Sequence, residues 1–196
     1  TTGIAMGIQY KELMNFETVQ DLKPIVVCSL GDASITEGEV AEAFHMASLK
    51  QLPILYLVQD NDWDISAHSS EIRRGNAIDY IQGFPGIESA SIDGTDFELC
   101  YQTIERIIHK MREDRKPFLL HAKVPLLNHH TSGVRKEWYR DDLESQMQRD
   151  PYDKLIHLLV SKKVSKDEMN RLEADAKKLV EADFDRARNA EDPRPE

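Results

Sequence analysis

The chain has 196 residues, 40% of them hydrophobic and 31% charged, with a formal net charge of −10. That length suits one sizeable folded domain with a smaller appendage. The acidic balance excludes a general binder of nucleic acid or anionic membrane, which needs a basic face, but not a local phosphate site built from backbone N–H groups.

Cys28 and Cys100 fall on apolar segments and read as core thiols rather than as a disulfide or a nucleophile. No run approaches the ~20 apolar residues of a membrane-spanning helix, and no signal peptide is visible. The expected setting is reducing and intracellular: cytoplasmic, or the mitochondrial matrix in a eukaryote. The opening Thr1-Thr2-Gly3-Ile4 lacks methionine and the closing Pro193-Arg194-Pro195-Glu196 reads as a linker, so a piece of a longer polypeptide is expected.

From Thr2 to about Leu13, Ile4, Met6, Ile8 and Leu13 alternate with Gly3, Ala5 and Gly7. Small residues allow close approach to a sheet, which predicts a buried helix. Ile25 to Leu30 is a β-branched apolar run that fits a strand covered on both faces, as in a parallel sheet. Glu37 to Lys50 carries helical apolar spacing (Val40, Ala43, Phe44, Ala47). Pro53 stops it and launches Ile54 to Val58 as a second buried strand, completing a strand–helix–strand crossover. The stretch from Asp60 to Gly86 is long, polar and glycine-rich, the composition of a functional loop. Glu88 to Ile92 reads as a third strand. Asp96 or Thr95 would cap a helix from Phe97 to Met111, and Pro117 to Val124 reads as a fourth strand. Pro125 to Asp150 is again irregular. Asp150-Pro151 heads a helix to about Ser161, and the capping box at Ser165 and Glu168 heads another to about Asn189, whose Met169, Leu172, Ala176, Leu179, Val180 and Phe184 make a docking face. The expected fold is α/β: a parallel sheet with helices on both faces over residues 1–150, plus a C-terminal helical extension over 151–196.

Ligands in such sheets bind beyond the carboxyl ends of the strands. Gly31-Asp32 ends one strand, Asp60-Asn61 ends the next, and the loop around His129 and His130 follows another. Asp32 offers a hard anionic oxygen and Asn61 an amide oxygen, which suits magnesium, whose remaining places phosphate oxygens can fill. Backbone N–H groups of Gly31-Asp32-Ala33-Ser34 and the nearby helix start can face a diphosphate. Each turn alone is ordinary turn chemistry; the pair, with a complete crossover between, points to a metal–diphosphate clamp.

The pair resembles the thiamine diphosphate motif: Gly-Asp-Gly, somewhat under thirty residues, then Asn-Asn. The surroundings resemble the α subunit of the decarboxylating first component of 2-oxo acid dehydrogenase complexes. The resemblance rests on Glu37-Gly38, Glu42-Ala43, Leu52-Pro53, Ile65-Ser66, Asp93-Gly94 with Asp96, Lys116-Pro117-Phe118, and His129-His130-Thr131-Ser132 followed by Trp138-Tyr139-Arg140. It covers essentially the whole chain. The paired histidines and the Asp-Pro before two helices are similar to the branched-chain, 2-oxoisovalerate members. Four positions depart: Ala33 for the second glycine, Asp60 for the first asparagine, Trp63 for a common tyrosine and His45 for a common asparagine.

The resemblance implies the thiamine diphosphate-binding fold, in its diphosphate-binding part. It implies magnesium on the side chains of Asp32 and Asn61 and the carbonyl of Trp63, and diphosphate along Gly31, Ala33 and Ser34. Ile65 would touch the thiazolium region, and His130 would lie beside the diphosphate and reactive centre as the catalytic histidine. Thr131 and Ser132 occupy a loop that some relatives regulate by phosphorylation. The implied reaction is decarboxylation of a 2-oxo acid on thiamine diphosphate, then acyl transfer to lipoyl. The implied partners are a β subunit or fused β domain supplying the glutamate for the aminopyrimidine, and a lipoyl acyltransferase core, within a homo- or hetero-oligomer. The segment alone is expected to be inactive. Pyruvate-type, acetoin-type or transketolase-like enzymes, and a non-catalytic α/β binding module, are the alternatives. Elsewhere, His121, His109 and His157 read as structural, His68 and His129 stay open between surface and site, and Arg73, Arg74, Arg135 and Arg140 could pair with carboxylates or the diphosphate, with ordinary surface ion pairs as the default for any one of them.

Overall fold

A computed structural model describes residues 1–16, 23–131 and 133–192. The chain divides into two compact units, Thr1–Lys154 and Leu155–Glu196. The first is built on a four-stranded parallel sheet in the order β1-β2-β6-β5, with β1 Val26–Gly31, β2 Ile54–Asp60, β5 Glu88–Asp93 and β6 Phe118–Lys123. Helices cover both faces, as expected for this α/β fold.

The alternation of side chains along β2 sorts the core. Ile54, Tyr56 and Val58, with Leu119 of β6, pack on one face against Phe44 and Ala47 of α2 (Gly38–Lys50). Phe44 meets Tyr56 edge-on, centroids 4.7 Å apart. Leu55, with Phe118 and Leu120 of β6, packs on the other face against Ile107 and Met111 of α5 (Phe97–Asp114). Each such fully buried side chain contributes about 1.5–3 kcal/mol. Asp96 caps α5, its Oδ1 accepting the Leu99 N–H at 2.9 Å.

Two expectations fail here. β1 lies at a sheet edge and is covered on alternate residues, leaving Val27 55% exposed; its apolar run does not mark a strand buried on both faces. Helix α1 (Thr2–Leu13) forms, yet Ala5 is its one buried residue, and nothing lies within 4 Å of where a Cβ on Gly3 or Gly7 would sit. Of its small residues Ala5 alone enters the core, and Gly3 and Gly7 serve no close approach among the described residues. Its C-terminal end is instead tied by Arg115, which donates to the Glu12 carboxylate and to the Pro24 carbonyl at 2.9 Å.

The long loop after β2 is less irregular than its composition. It holds a two-residue hairpin, β3 Trp63–Asp64 with β4 Ala67–His68, and two short helices, α3 Ser69–Ile72 and α4 Ala77–Ile81. His68 caps α3 and Asn76 caps α4, each with a reciprocal capping box. A further short helix, α6 Leu143–Met147, lies in the second polar region. Next, α7 (Pro151–Ser161) begins with Asp150 Oδ1 accepting the Tyr152 N–H at 2.9 Å.

Helix α8 (Lys166–Arg188) is capped by Ser165 Oγ, which accepts the Glu168 N–H at 3.2 Å. The Glu168 carboxylate pairs with Arg171 at 2.6 Å rather than closing the expected box. Leu172, Leu179, Val180 and Phe184 are exposed. No helix among the described residues is long and apolar enough to cross a membrane. The expected linker, residues 193–196, lies outside the described residues.

Gly94, in the turn between β5 and α5, is sterically required. A Cβ there would lie 2.5 Å from Val124 Cγ1 and 3.1 Å from the Lys123 carbonyl oxygen. Gly94→Ala must push β6 away from this turn, so denaturant unfolding is expected to show a loss of about 1–3 kcal/mol. An unchanged midpoint would show that the turn yields freely.

Candidate functional site

The parallel register aligns Leu30 with Val58 and Gly31 with Gln59, so β1 and β2 end side by side. Asp32 follows β1 and heads a 3₁₀ turn, Ala33–Thr36; it is 2% exposed. Asn61 follows β2, and its N–H points to Asp32 Oδ1 at 3.4 Å. Thus two of the expected ligand residues, 29 positions apart, are adjacent in space. The Asn61 side-chain oxygen accepts the Trp63 N–H at 3.0 Å, a local turn that fixes the amide. Ala33 has no positive φ, so its methyl group is compatible with the turn. Gly31 is exposed, and Ala33 and Ser34 are half-buried beside it.

Ile65 lies at the tip of the β3–β4 hairpin with φ 53°, 41% exposed. A β-branched residue in the left-handed region is an outlier costing roughly 1–2 kcal/mol. Such strain concentrates at ligand-contacting positions, which fits the expected place of Ile65 beside a cofactor.

The least expected member is Arg73. Rather than forming a surface pair, its side chain is 6% exposed, with Nη2 2.5 Å from Asp32 Oδ2 and 3.3 Å from Asp60 Oδ1. Its Nε and Nη1 are buried without a hydrogen-bond partner among the described residues. A buried donor left unpaired costs about 1–3 kcal/mol, more when charged, so the two carboxylates hold Arg73 against a penalty. Burial pushes the Asp32 carboxyl above its ordinary value, with the Arg73 hydrogen bond pulling the other way. Burial would raise Asp60 too, but hydrogen bonds from His121 and the Asp62 N–H, together with Lys123 and Arg73, outweigh it and hold Asp60 well below the usual carboxylate range.

His121 reads as structural from its strand position, and it is buried in the sheet. Its Nε2 lies 2.8 Å from Asp60 Oδ2 and its Nδ1 2.8 Å from Ser91 Oγ. An ionised Asp60 accepts, which puts the ring proton on Nε2 and leaves Nδ1 to accept the Ser91 hydroxyl. A hydrogen-bonded chain therefore runs Ser91–His121–Asp60–Arg73–Asp32 across the carboxyl ends of β5, β6, β2 and β1. This includes Asp60, one of the residues that depart from the motif.

The loop after β6 is fastened to the second turn through Trp63. Arg140, also expected at the surface, has a fully buried side chain. Its Nε and Nη2 grip the Asp142 carboxylate at 2.8 and 2.9 Å, its Nη1 donates to the Leu126 carbonyl at 2.9 Å, and its guanidinium carbon lies 5.2 Å from the Trp63 ring centroid. Tyr139 and His68 meet Trp63 edge-on, at 5.3 and 5.0 Å. His129 Nδ1 accepts the Lys136 N–H at 3.3 Å and so shapes this loop. His130 is exposed on the same loop and makes no hydrogen bond to Asp32 or Asn61. Thr131 Oγ1 accepts the N–H groups of Gly133 and Val134, each at 3.2 Å; Ser132 lies outside the described residues.

The donors fit a hard cation. A buried carboxylate and an amide oxygen are the ligand types magnesium takes from protein. An asparagine oxygen that accepts one hydrogen bond keeps a second lone pair. Among the described residues no group of three or more His, Cys, Asp and Glu side chains forms a metal cage, so a cation here draws few ligands from these side chains.

A parallel α/β sheet with oxygen donors at the ends of adjacent strands has the layout of the open-sheet class, whose ligands bind beyond the carboxyl ends of the strands. The family model described as "Dehydrogenase E1 component" matches residues 1–196, and the chain belongs to that family. It is 30% identical over 197 residues to a pyruvate dehydrogenase E1 component subunit alpha of Porphyra purpurea, an alignment covering 97% of this chain and 56% of that one. The same-named subunit of Rickettsia bellii is 26% identical, over 91% and 53%. A human 2-oxoisovalerate dehydrogenase subunit alpha, mitochondrial, is 27% identical, over 87% and 39%. The chain therefore spans about half the length of the curated relatives it matches.

Proposed function

We propose that the chain is the diphosphate-binding part of a thiamine diphosphate-dependent 2-oxo acid dehydrogenase component. In this reading, residues 1–150 bind cofactor and 151–196 form a helical extension. The observation that carries it is the Asp32–Asn61 juxtaposition, inside a chain that matches the family along its whole length. Asp32, Asn61 and the Trp63 carbonyl would hold magnesium, Gly31, Ala33 and Ser34 would line the diphosphate, Ile65 would meet the thiazolium region, and His130 would serve the reacting centre. When bound, thiamine diphosphate supplies the carbanion chemistry. This chain's residues anchor its charged end, and a histidine at His130 can move a proton or stabilise charge. The glutamate for the aminopyrimidine would come from a β subunit or fused β domain, and a lipoyl acyltransferase core would receive the acyl group. The proposed setting is cytoplasmic, or mitochondrial in a eukaryote.

The paired His129-His130 favours a branched-chain 2-oxo acid such as 2-oxoisovalerate. The longer alignment with the pyruvate dehydrogenase subunit of Porphyra purpurea favours pyruvate. Calorimetry on the full assembly is expected to show magnesium-dependent binding of thiamine diphosphate that Asn61→Ala weakens at least tenfold; binding indifferent to magnesium and to Asn61 overturns the reading. Relative kcat/KM for 2-oxoisovalerate, pyruvate and acetoin decides between substrates, and dominance of pyruvate or acetoin defeats the branched-chain assignment.

A further inference from the structure

Arg73 is a full charge placed in the interior with most of its hydrogen-bonding capacity unused. A guanidinium carries five N–H donors. Nη2 serves Asp32 and Asp60, while Nε and Nη1 are buried with no partner among the described residues. The segment before it is anchored at its start, by the His68–Glu71 capping box and by the Ser69 N–H to the Asp62 carbonyl at 2.8 Å, and is short beyond that point. Arg73 is the C-cap of α3, which has four residues and none of them buried, and Gly75 follows at φ +84°. Residues 69–75 border an open surface depression. The negative charge of Asp32 and Asp60 is therefore what keeps the side chain inward. Lys123, 3.4 Å from Asp60 Oδ1 and 2.5 Å from Asp62 Oδ1, is a second cation on the same group of carboxylates and shares in holding Asp60.

We propose that Arg73 is the resident counter-cation of Asp32, and that a divalent cation entering at Asp32 displaces its guanidinium and releases residues 69–75. The inference rests on the reading of Asp32 and Asn61 as a metal pair. The physical reason is competition for one carboxylate. A dication attracts Asp32 more strongly than a monocation does and repels the guanidinium across a short, poorly screened distance. Once Asp32 is claimed, only Asp60 opposes the return of Nε and Nη1 to water. Metal occupancy would thereby be reported to the segment beside the hairpin that carries Ile65.

Manganese(II), titrated by electron paramagnetic resonance into the full assembly without thiamine diphosphate, tests this. Arg73→Met removes the competing charge at similar length and is expected to bind manganese about tenfold more tightly than wild type. In the wild type, manganese is expected to speed amide hydrogen exchange over residues 69–75, and this measurement needs no variant. An Arg73→Met affinity equal to or weaker than wild type overturns the proposal. Tighter binding without a manganese-dependent exchange change in the wild type overturns it too, since that outcome reports only a distant charge effect. Asp32→Ala separates the two layers. If it still binds manganese like wild type, the metal pair is misassigned; if it loses binding while Arg73→Met stays unchanged, only the role of Arg73 fails.

Discussion

Asp32→Ala is expected to lower magnesium-dependent affinity for thiamine diphosphate in the full assembly by at least a hundredfold and to destabilise the fold by about 3 kcal/mol. The binding loss follows from removing the one anionic ligand of the proposed pair; an amide oxygen and a carbonyl are weaker partners for a small dication. The stability loss has a separate origin. Arg73 would be left with Asp60, at 3.3 Å, as its one carboxylate partner, and without a dication at Asp32 to repel it the guanidinium stays there. Breaking a buried pair from one side costs about 3–5 kcal/mol, and the surviving Asp60 contact, with relief of the buried Asp32 carboxylate itself, places this case at the low end. The Asp32→Ala/Arg73→Met double variant tells the two apart. Removing both charges should recover most of the stability and none of the magnesium dependence, giving a coupling energy well above the few tenths expected of independent sites. Additive destabilisation in urea would show that the Asp32–Arg73 pair contributes no net coupling.

The sequence disclosed the parts of this site that obey local rules. The crossover was legible because β-branched runs, helical apolar spacing and Pro53 all agree, and such agreement across levels specifies a fold. Asp96 and Ser165 were readable as caps for the same reason. Asp32 and Asn61 were found because strand ends are where open-sheet ligands bind. The burial of Arg73 and Arg140 was not legible because tertiary packing decides whether a charged side chain is enclosed. Arg73 meets Asp32 from 41 positions away, and Arg140 earns its interior place from Leu126, Asp142 and the Trp63 ring together. No local pattern around Arg73 differs from an ordinary surface segment, and the Trp138-Tyr139-Arg140 stretch, though part of the family resemblance, carries no mark of burial. The hairpin and short helices between Asp60 and Gly86 were hidden for another reason: elements of two to five residues are too short for periodicity to register. Edge position misled the reading of β1, since an apolar strand looks the same in sequence whether one neighbour or two will pair with it. For α1, Ala5 marked real packing, whereas Gly3 and Gly7 signalled a close approach that the described residues do not supply.

Asp60→Ala should be the costliest single change to the fold near the site, at roughly 3–5 kcal/mol, because one carboxylate is shared by four donors. It accepts from His121 Nε2 at 2.8 Å, the Asp62 N–H at 3.0 Å, Arg73 Nη2 at 3.3 Å and Lys123 Nζ at 3.4 Å. Its removal leaves a buried imidazole donor and weakens the hold on a buried guanidinium, the situation in which unpaired groups are most expensive. The same contacts fix the pH response. Asp60 is depressed in the folded chain below the ordinary 3.8 that it regains on unfolding. Its contribution is therefore complete above the unfolded value and is lost as pH falls below about 3.8 toward the folded value. Asp32 runs the other way: raised by burial, it costs stability at neutral pH, and that cost fades as pH drops through its raised value. Urea unfolding in chelator, repeated from pH 7 down to 3, should show Asp60→Asn flattening the acid loss and Asp32→Asn steepening it. Parallel acid limbs in wild type and Asp60→Asn would mean that groups elsewhere set the acid sensitivity, and that the Ser91–His121–Asp60–Arg73 chain is held by packing rather than by the Asp60 charge.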